Sequence, residues 1–462
     1  MSWTVARILE ASEGQLLQGN PAQPVADIST DSRRIQSGDA FVPLIGDRFD
    51  GHDFLDVVVN RGVSVVLVQR DRMAWAAPSH VTVVLVEDTL RALGRLARYW
   101  RLRHPIPVVG ITGSNGKTST KEMLTSILQQ NLNVLKNPGN LNNLVGAPLT
   151  LLQLQPIHDA AVVEMGINMP GEMARLVEIV HPDVGLITNI QPAHLEGLIS
   201  PDTILAEKGL LWQGLAAGGL AVVNRDDERL KAFAQNLSCR QLSYSLSDPV
   251  AEVHVRGEVF LHDHGSDFQL DLEGNLVEVT LPVLGRHQVH NAVAAAAVAY
   301  GIGQPVDTIV EGLAQHHPVS QRMQIRHLAD GTRIIDDTYN ANPRSVLAAV
   351  QTLAAVHDDR PWMVVLGEMR ELGETSAALH RKLGQRIGPL DMDRLFTLGG
   401  LAEHIATGAK ETGLAPDRCY HGADHDDIVV RLKSHWVPGA WILVKGSRGM
   451  TMERIVEGIM AP

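Results

Sequence analysis

The chain has 462 residues, of which 45% are hydrophobic, and its 40 Lys and Arg against 52 Asp and Glu give a formal net charge of −12. At about 150 residues per domain, this length predicts about three domains, and the apolar content excludes wholesale disorder. The acidic balance argues against a general nucleic-acid binder, no apolar run reaches the roughly 18 residues of a membrane span, and the N-terminal stretch lacks the apolar core of a secretory signal.

Short apolar, β-branched runs alternate along the chain with stretches of helical spacing, which predicts an α/β fold with mostly parallel sheets. The predicted strands lie at residues 63–68, 81–86, 108–112, 161–164, 184–188, 363–366 and 441–444. One stretch differs, because apolar residues alternate on both sides of Glu273-Gly274-Asn275. This pattern predicts a hairpin, and hence an antiparallel patch near the end of the middle domain.

Two breaks in the pattern predict the domain limits. Helical spacing from Leu90 to Trp100 followed by His104-Pro105-Ile106-Pro107 marks the first break, and His316-His317-Pro318 marks the second. Proline-rich segments after a helix are typical of linkers. We therefore expect domains at residues 1–88, 89–318 and 319–462.

Residues 108–118 predict an apolar strand, a glycine-rich loop and then an amphipathic helix. Glycines allow backbone N–H groups to approach phosphate oxygens, Lys117 can reach the terminal phosphates, and the Thr118 hydroxyl is placed for Mg²⁺. The common pattern has a glycine five positions before Gly116, where this chain has Ile111. An incidental strand-to-helix turn is the alternative, but the Gly-Lys-Thr context favours phosphate binding.

Two further polar residues follow predicted strands and should emerge at the same sheet edge. Glu164 ends the strand at 161–164, and His194 follows the strand at 184–188. Ligands bind at the carboxyl edge of parallel strands, so a carboxylate there could reach a metal held by Thr118. From position alone, a surface acid is an equal alternative for Glu164, and a lone histidine is usually structural. The pattern around Lys208 indicates only a solvated helix residue.

Taken together, residues 112–118, 140–143, Glu164, 189–196 and 285–291 resemble the corresponding motifs of the Mur ligases of bacterial cell-wall synthesis. That family has the shortened glycine pattern, which accounts for Ile111. The stretches at 336–343, 366–373 and 444–448 resemble the branch of the family that adds D-alanyl-D-alanine to a UDP-linked tripeptide. Gln288 and Leu210 depart from the usual family pattern.

The resemblance implies three α/β domains: a small N-terminal uridine-nucleotide-binding domain, a central P-loop ATPase-type domain, and a C-terminal Rossmann-like domain that binds the incoming D-alanyl-D-alanine. It implies an ATP-dependent, ADP-forming ligase that acts through an acyl phosphate and makes the UDP-linked pentapeptide of peptidoglycan synthesis. Expected cofactors are ATP and two Mg²⁺ ions, with a carbamylated Lys208. We expect a cytoplasmic monomer that binds UDP-MurNAc-tripeptide and D-Ala-D-Ala, does not bind nucleic acid, and has no membrane span.

The resemblance also implies roles for individual residues. The expected catalytic residues are Lys117, Glu164, His194, Lys208 and Arg322. The expected nucleotide-binding residues are Gly113, Ser114, Asn115, Gly116, Lys117 and Thr118, with Asn291 facing adenine and Asp337 facing ribose. The expected metal ligands are Thr118, Glu164, His194 and Lys208. The expected substrate-binding residues are Ser32, Arg33, Asp50, Gly51, His52, Asn142, Asn143, Tyr339, Asn340, Asn342, Lys445 and Arg448.

Several of these residues have simpler alternatives. Arg322, Lys445 and Arg448 could be solvated surface cations, and Asn342 with Pro343 has the pattern of a helix cap and first helical residue. For the whole chain, the alternatives are a sibling Mur ligase, a ligase like folylpolyglutamate synthase, or a nucleotide-gated P-loop switch. Guanine-reading motifs are absent from the sequence, which argues against the switch.

Overall fold

The structure, a computed structural model, describes residues 2–46, 48–191 and 200–461. His194, one of the expected metal ligands, lies outside these residues. The described chain is arranged around three large sheets, which occupy residues 15–86, 108–281 and 324–445. The limits of the three domains, at 88/89 and 318/319, stay predictions.

The first unit contains a small, mostly parallel sheet. Its strands are β1 (Trp3–Thr4), β2 (Gln15–Gln18), β3 (Pro24–Val25), β4 (Ile28–Ser29), β5 (Ala40–Phe41), β6 (Val65–Gln69) and β7 (Thr82–Val86). The order β2-β7-β6-β5-β4 is parallel except at the edge strand β2, and β1 pairs with β3. The central strands β6 and β7 are apolar on both faces, because one face packs in a cluster with helix α1 (Val5–Ser12) and the other in a cluster with helix α2 (Leu55–Asn60).

The central unit is built on a sheet ordered β16-β15-β14-β13-β12-β11-β8-β10-β9. Its strands are β8 (Val108–Thr112), β9 (Val134–Lys136), β10 (Ala160–Glu164), β11 (Val184–Ile187), β12 (Leu220–Asn224), β13 (Arg240–Ser245), β14 (Val253–His262), β15 (Gly265–Leu272) and β16 (Asn275–Leu281). Its described helices are α3 (Thr89–Arg101), α4 (Lys117–Leu128), α5 (Gly146–Leu152), α6 (Glu172–Val180), α7 (Pro201–Gln213), α8 (Glu228–Ala234), α9 (Arg286–Gly301) and α10 (Val306–Ala314).

The third unit has a sheet ordered β17-β18-β22-β19-β20-β21, parallel except for β17. Its strands are β17 (Gln324–His327), β18 (Arg333–Asp337), β19 (Trp362–Gly367), β20 (Arg394–Leu398), β21 (Cys419–Gly422) and β22 (Trp441–Lys445). Its described helices are α11 (Pro343–Val356), α12 (Ser376–Ile387), α13 (Glu403–Glu411), α14 (His425–Ser434) and α15 (Glu453–Met460).

The structure confirms the predicted α/β class and the antiparallel patch. β14, β15 and β16 pair antiparallel at one side of an otherwise parallel central sheet. Glu273 and Gly274 form the two-residue turn, and both have positive φ, 50° and 90°. Positive φ at both central positions matches the twist of the flanking strands, which is why glycine suits the second one.

The apolar cores show how the units are joined. One hydrophobic cluster runs from the first unit into the central unit, and Trp3 stacks on Trp100 of α3 with ring centroids 4.7 Å apart. The third unit has its own core, into which Leu284 of the central unit is packed. Arg333 also forms an ion pair with Asp263 of the β14–β15 hairpin at 3.0 Å. Within the described ranges, none of the helices has both the length and the apolarity needed to cross a bilayer.

Candidate active site

The loop between β8 and α4 has the backbone that a phosphate requires. Gly113 and Gly116 have φ of 144° and 83°, and a Cβ on Gly116 would collide with Oδ1 of Asn291. Gly116 is the N-cap of α4 and offers no side-chain hydrogen bond to the first turn. The N–H groups of that turn therefore keep the positive potential that binds anions at helix N-termini.

Thr118 and Glu164 meet directly beside this loop. The Thr118 hydroxyl donates to Oε2 of Glu164 at 2.8 Å, and the Asn142 amide donates to Oε1 at 2.8 Å. Parallel pairing of β8 with β10 places Glu164 opposite Ile111, at the carboxyl edge of both strands, and Glu164 is only 2% exposed. A buried carboxylate with two donors and an adjacent hydroxyl offers oxygen atoms, the ligand type that Mg²⁺ prefers.

Two lysines interact with each other at this site, and one of them, Lys117, also interacts with Glu164. Lys117 donates to the Gly113 carbonyl at 2.8 Å; burial lowers the pKa of Lys117, Glu164 opposes that shift, and Arg322 adds to it. Lys208, on α7, is 2% exposed. Burial lowers the pKa of Lys208 well below its usual value, and the charge of Lys117 lowers it further. Lys208 is therefore a buried amine with a strong tendency to be neutral.

The third unit contributes side chains to the same place. Arg322 donates from Nη2 to the Thr118 hydroxyl at 3.1 Å and stacks over the ring of Tyr339, 4.1 Å from its centroid. Asn342 donates to Oδ1 of Asn115 at 2.5 Å. The structure thus brings Arg322 to the phosphate loop, so it is not a solvated surface cation.

Asn342 also has the predicted structural role. It is the N-cap of α11, its side chain accepts a hydrogen bond from the Ser345 N–H at 2.9 Å, and Pro343 is the first helical residue. The reciprocal bond from the Asn342 N–H to the Ser345 hydroxyl completes a capping box. One asparagine therefore fixes the start of α11 and touches the phosphate loop.

Asp337 and Lys445 form a buried pair at the ends of β18 and β22. The Lys445 ammonium donates to Oδ2 of Asp337 at 2.5 Å and to the Asn340 carbonyl at 2.8 Å. The Met323 N–H donates to the other carboxylate oxygen at 3.2 Å. Lys445 is buried, so it is not one of the solvated cations that the sequence left open.

The first residues of α9 complete the site. The Asn291 amide donates to Oε1 of Gln288 at 3.1 Å, so Gln288, which departs from the family pattern, helps to orient Asn291. Burial lowers the pKa of His287 to about 4, against an opposing effect of Asp337. His287 is therefore a neutral imidazole at pH 7.

Except for Lys208, which is outside the lining, these groups line one cleft of about 380 Å³, which we call the phosphate cleft. Its lining includes most of the predicted central and third-unit residues: Ser114, Asn115, Gly116, Lys117, Thr118, Asn142, Asn143, Glu164, Asn291, Arg322, Asp337, Tyr339, Asn340, Asn342 and Lys445. Arg448 is half-exposed instead and pairs with Glu453 at 2.8 Å. Gly113 adjoins the lining as the start of the loop. His194 lies outside the described residues.

The predicted residues of the first unit lie elsewhere. Asp50 accepts hydrogen bonds from the His52 N–H and from Nδ1 of its ring, and Gly51 follows Asp50 in a short 3₁₀ helix. Nε2 of His52 accepts from the Gln69 N–H at 3.1 Å, so both ring nitrogens have partners within the unit. Arg33 is 85% exposed beside Ser32 and pairs with Asp31, whose pKa it lowers to about 2. We call Asp31–Arg33 and Asp50–His52 the first-unit polar pairs.

Two buried residues that contact Glu164 of the cleft lining were not predicted from the sequence. Asn137 accepts a hydrogen bond from the Glu164 N–H and donates to the carbonyls of Glu164 and Leu141, each at 2.9 Å. Lys121, fully buried on α4, donates to the Asn137 carbonyl at 2.8 Å. A signal for Lys121 was present, because it lies three and seven positions before Leu124 and Leu128 and so shares their apolar face.

The described residues contain no group of three or more His, Cys, Asp and Glu side chains arranged to hold a metal ion. The hydroxyl of Thr118 and the carboxylate of Glu164 nevertheless offer adjoining hard oxygen atoms beside the phosphate loop. Mg²⁺ typically takes one or two protein ligands together with phosphate oxygens and waters, so this donor set fits it.

Comparisons with known proteins agree with the site. Three family models match the chain in order: the Mur ligase family catalytic domain at residues 24–101, the Mur ligase middle domain at 111–299, and the Mur ligase glutamate ligase domain at 321–448. The chain is 36% identical over 463 residues to UDP-N-acetylmuramoyl-tripeptide–D-alanyl-D-alanine ligase of Escherichia coli (strain K12), covering 99% of this chain and 98% of that protein.

The chain is also similar to solved structures of Mur ligases. The crystal structure of MurF from Acinetobacter baumannii matches with a TM-score of 0.91 and 33% identity, covering 100% of this chain and 99% of that one. The structure of MurF ligase from Thermotoga maritima in complex with ADP matches with a TM-score of 0.84 and 28% identity, covering 94% and 97%. With a relative above 30% identity across its whole length and family models along all three units, the chain belongs to the Mur ligase family.

Proposed function

We propose that this chain is an ATP-dependent, ADP-forming ligase that joins D-alanyl-D-alanine to UDP-N-acetylmuramoyl-tripeptide in peptidoglycan synthesis. The observation that carries the proposal is the convergence of Lys117, Thr118, Glu164 and Arg322 on one phosphate loop. The name of the Escherichia coli relative, which the chain matches over nearly its full length, specifies the same two substrates.

The chemistry explains why a phosphate loop serves an amide ligase. A carboxylate is a poor electrophile, so its carbon must be activated before an amine can attack it. Transfer of the γ-phosphoryl group of ATP to a carboxylate oxygen gives an acyl phosphate and ADP. The amine nitrogen then attacks the carbonyl carbon, the amine loses a proton, and phosphate leaves from the tetrahedral intermediate as the amide forms.

The residues of the phosphate cleft suit this transfer through charge and position. The N–H groups of residues 113–118 and the ammonium of Lys117 would hold the β- and γ-phosphates, and Arg322 would neutralise charge on the transferred group. Asn291, oriented by Gln288, would face adenine. Asp337 would contact ribose through the carboxylate that Lys445 holds in place.

Thr118 and Glu164 would hold one Mg²⁺, and Glu164, His194 and a modified Lys208 would hold a second. Bound Mg²⁺ neutralises phosphate charge and orients the phosphoryl group. What supports the first position is the 2.8 Å contact between the Thr118 hydroxyl and Glu164. The second position depends on His194, outside the described residues.

The low pKa of Lys208 supports its proposed carbamylation. Only a neutral amine can attack CO₂; the new N–C bond and the loss of a proton give an anionic carbamate with two oxygen atoms. Burial and the nearby charge of Lys117 both favour the neutral amine. The carbamate would in turn place a negative charge beside Lys117, which relieves the repulsion between the two lysines.

Further residues are proposed to contact the two substrates. We infer that Ser32, Arg33, Asp50, Gly51 and His52 contact the UDP-linked substrate, although the Asp50 and His52 side chains already bond each other. Backbone groups of the short 3₁₀ helix are the better candidates there. Asn142 and Asn143 would meet the tripeptide end. The proposed contacts of the incoming dipeptide are Tyr339, Asn340, Asn342, Lys445 and Arg448.

We also infer domains at residues 1–88, 89–318 and 319–462, a monomer, and a cytoplasmic location. Cys239 and Cys419 are both free thiols, as in a reducing compartment. Because the groups of the phosphate cleft lie on both the central and the third unit, we expect these units to close further on each other when both substrates bind.

One assay tests the function against its alternatives. The full chain, ATP and Mg²⁺ are combined with a panel of UDP-linked peptides and candidate amines, and ADP release is followed with a coupled assay. We expect release only with UDP-MurNAc-tripeptide and D-Ala-D-Ala together. Release with a single amino acid would indicate a sibling ligase, and release independent of the amine would indicate a nucleotide switch.

A further inference from the structure

Lys121 is a buried cation next to Glu164 of the phosphate cleft, one helical turn after Lys117. Its side chain is fully buried in α4, among the apolar residues that face the central sheet. Burying an ammonium is costly unless acceptors surround it. Here the acceptors are the Asn137 carbonyl at 2.8 Å, the Gly139 carbonyl at 3.3 Å and the Glu122 carboxylate at 3.1 Å.

The same ammonium lies 3.9 Å from Oε2 of Glu164, the oxygen that accepts the Thr118 hydroxyl. It therefore places a positive charge beside the same carboxylate oxygen that Thr118 contacts. In a site with little water, a charge at this distance acts strongly on the carboxylate.

A second connection runs through the chain between Asn137 and Asn142. Lys121 holds the Asn137 and Gly139 carbonyls, and the Asn137 side chain brackets the backbone of Glu164 on both sides. Asn142, at the end of this segment, donates to Oε1 of Glu164. Lys121 thus acts on both oxygens of the Glu164 carboxylate. Its charge acts directly on Oε2, and it acts on Oε1 indirectly, by holding the 137–142 segment that ends at Asn142.

We propose that Lys121 is a positioning residue for the ligase reaction, whose buried ammonium fixes the Glu164 carboxylate and the 137–142 segment and so sets the affinity of the cleft for Mg²⁺-bound nucleotide. The inference rests on the proposed function, in which Glu164 is a Mg²⁺ ligand. A loop anchor alone would not require a charge, because a neutral donor could satisfy the two carbonyls.

Lys136 provides a matched control. It pairs with the other oxygen of Glu122, yet it has neither contact with the 137–142 carbonyls nor proximity to Glu164 among the described interactions. Lys136→Met therefore removes a lysine from the same acidic partner and leaves the carboxylate of Glu164 untouched.

The experiment compares the full-length wild type with Lys121→Met, Lys121→Gln and Lys136→Met. Circular dichroism and thermal unfolding check the fold, and calorimetry measures ADP binding with and without Mg²⁺, so that the readout does not depend on turnover. We expect both Lys121 variants to lose about 10- to 100-fold in Mg²⁺-dependent ADP affinity, the usual cost of removing a residue that orients a metal ligand. Metal-free ADP binding and Lys136→Met should remain like wild type.

Lys121→Gln retains a donor for the loop carbonyls but removes the charge, so it decides the matter if Lys121→Met does not fold. Wild-type Mg²⁺-dependent affinity in a folded Lys121 variant overturns the proposal, and so does failure of both variants to fold, which would make Lys121 a folding residue. Absence of ADP release by the wild type with both substrates would instead refute the proposed function, while the calorimetric comparison would still report on Lys121.

Discussion

The phosphate cleft and the first-unit polar pairs are both made of charged and amide side chains, but they are assembled differently. In the cleft, hydrogen bonds join Thr118 to Arg322, 204 positions away, and Asn115 to Asn342, 227 positions away. In the first-unit polar pairs, the partners are two residues apart. A contact between distant segments requires the whole fold, whereas a local pair requires only its own turn. We therefore expect substitutions in the cleft to lower enzyme activity much more than substitutions in the first-unit polar pairs.

The largest effect should come from the loop lysine. Lys117→Ala removes the cation nearest the phosphates, and we expect turnover to fall about 1,000-fold or more. Coupled ADP release measures the loss. Circular dichroism and the thermal midpoint should match wild type, because Lys117 donates only to its own loop. Substantial activity in this variant would refute the role of the loop.

Arg322→Ala tests the contact that crosses between units. It removes the donor to Thr118 and the stacking on Tyr339, and we expect kcat to fall about 100-fold. The KM for the UDP-linked peptide should change little. Arg418→Ala is the control, since Arg418 pairs with the exposed Asp391 in the same unit and lies outside the cleft lining. Equal losses of kcat in the two variants would mean that the contact of Arg322 with the phosphate loop does not contribute to catalysis.

Lys208→Ala should lower kcat by about 10- to 100-fold, because a proposed metal ligand is lost. If Lys208 carries a carbamate, short carboxylic acids such as formate or acetate should restore part of the rate, measured by ADP release over a concentration series. The same acids should not rescue Arg322→Ala. Without rescue, the carbamate assignment would not stand.

A buried histidine outside both regions, His316, makes the stability of the whole fold depend on pH. Burial lowers the pKa of His316 to about 4 from 6.5, so between these values the unfolded chain binds a proton that the native chain does not. The free energy of unfolding should therefore decrease as pH falls from 6.5 to 4, by up to about 3 kcal/mol from this group. Urea titrations of wild type and His316→Gln across this range test it, and an unchanged slope in the variant would contradict it.

The smallest effect is expected in the first-unit polar pairs. Arg33 is exposed and paired only with its neighbour Asp31, so Arg33→Ala should leave the thermal midpoint and kcat unchanged. If Arg33 binds the UDP-linked substrate, its KM should rise about tenfold, the usual effect of losing one hydrogen bond to a charged group. Arg70→Ala, which removes another exposed pair of the same unit, serves as control. An unchanged KM for the UDP-linked substrate would show that Arg33 does not contact it.

Much of the fold and part of the site could be predicted because the signals are local. Buried strands such as β8 and β22 are continuous apolar runs, and Glu273-Gly274 specifies its own turn. The phosphate loop was predictable for the same reason, since glycines and the following helix define its backbone. The resemblance to a known family then supplied residues, such as Lys208, that no local pattern marks.

The remaining features depend on contacts between distant segments. Lys445 has the sequence of an ordinary strand-end cation, and only the sheet order that pairs β18 with β22 brings Asp337 to it. Asn137 and Lys121 are separated by 16 positions and face each other only because α4 packs against β9. For Asp50 and His52, the family resemblance implies substrate contacts, which stay predictions. The Gln69 N–H reaches Nε2 of His52 only because the fold brings these two segments together.

The helix Thr89–Arg101 has one further consequence, for attempts to cut the chain into pieces. It presents apolar side chains both to Trp3 and α1 on one side and to α5 and α6 on the other, within a single cluster. A fragment that ends just before this helix would expose Trp3 and the apolar face of α1, and a fragment that begins at the helix would expose the face that packs on them. Dissection at the first boundary should therefore yield aggregating halves, whereas co-expressed fragments should recover one another as a complex.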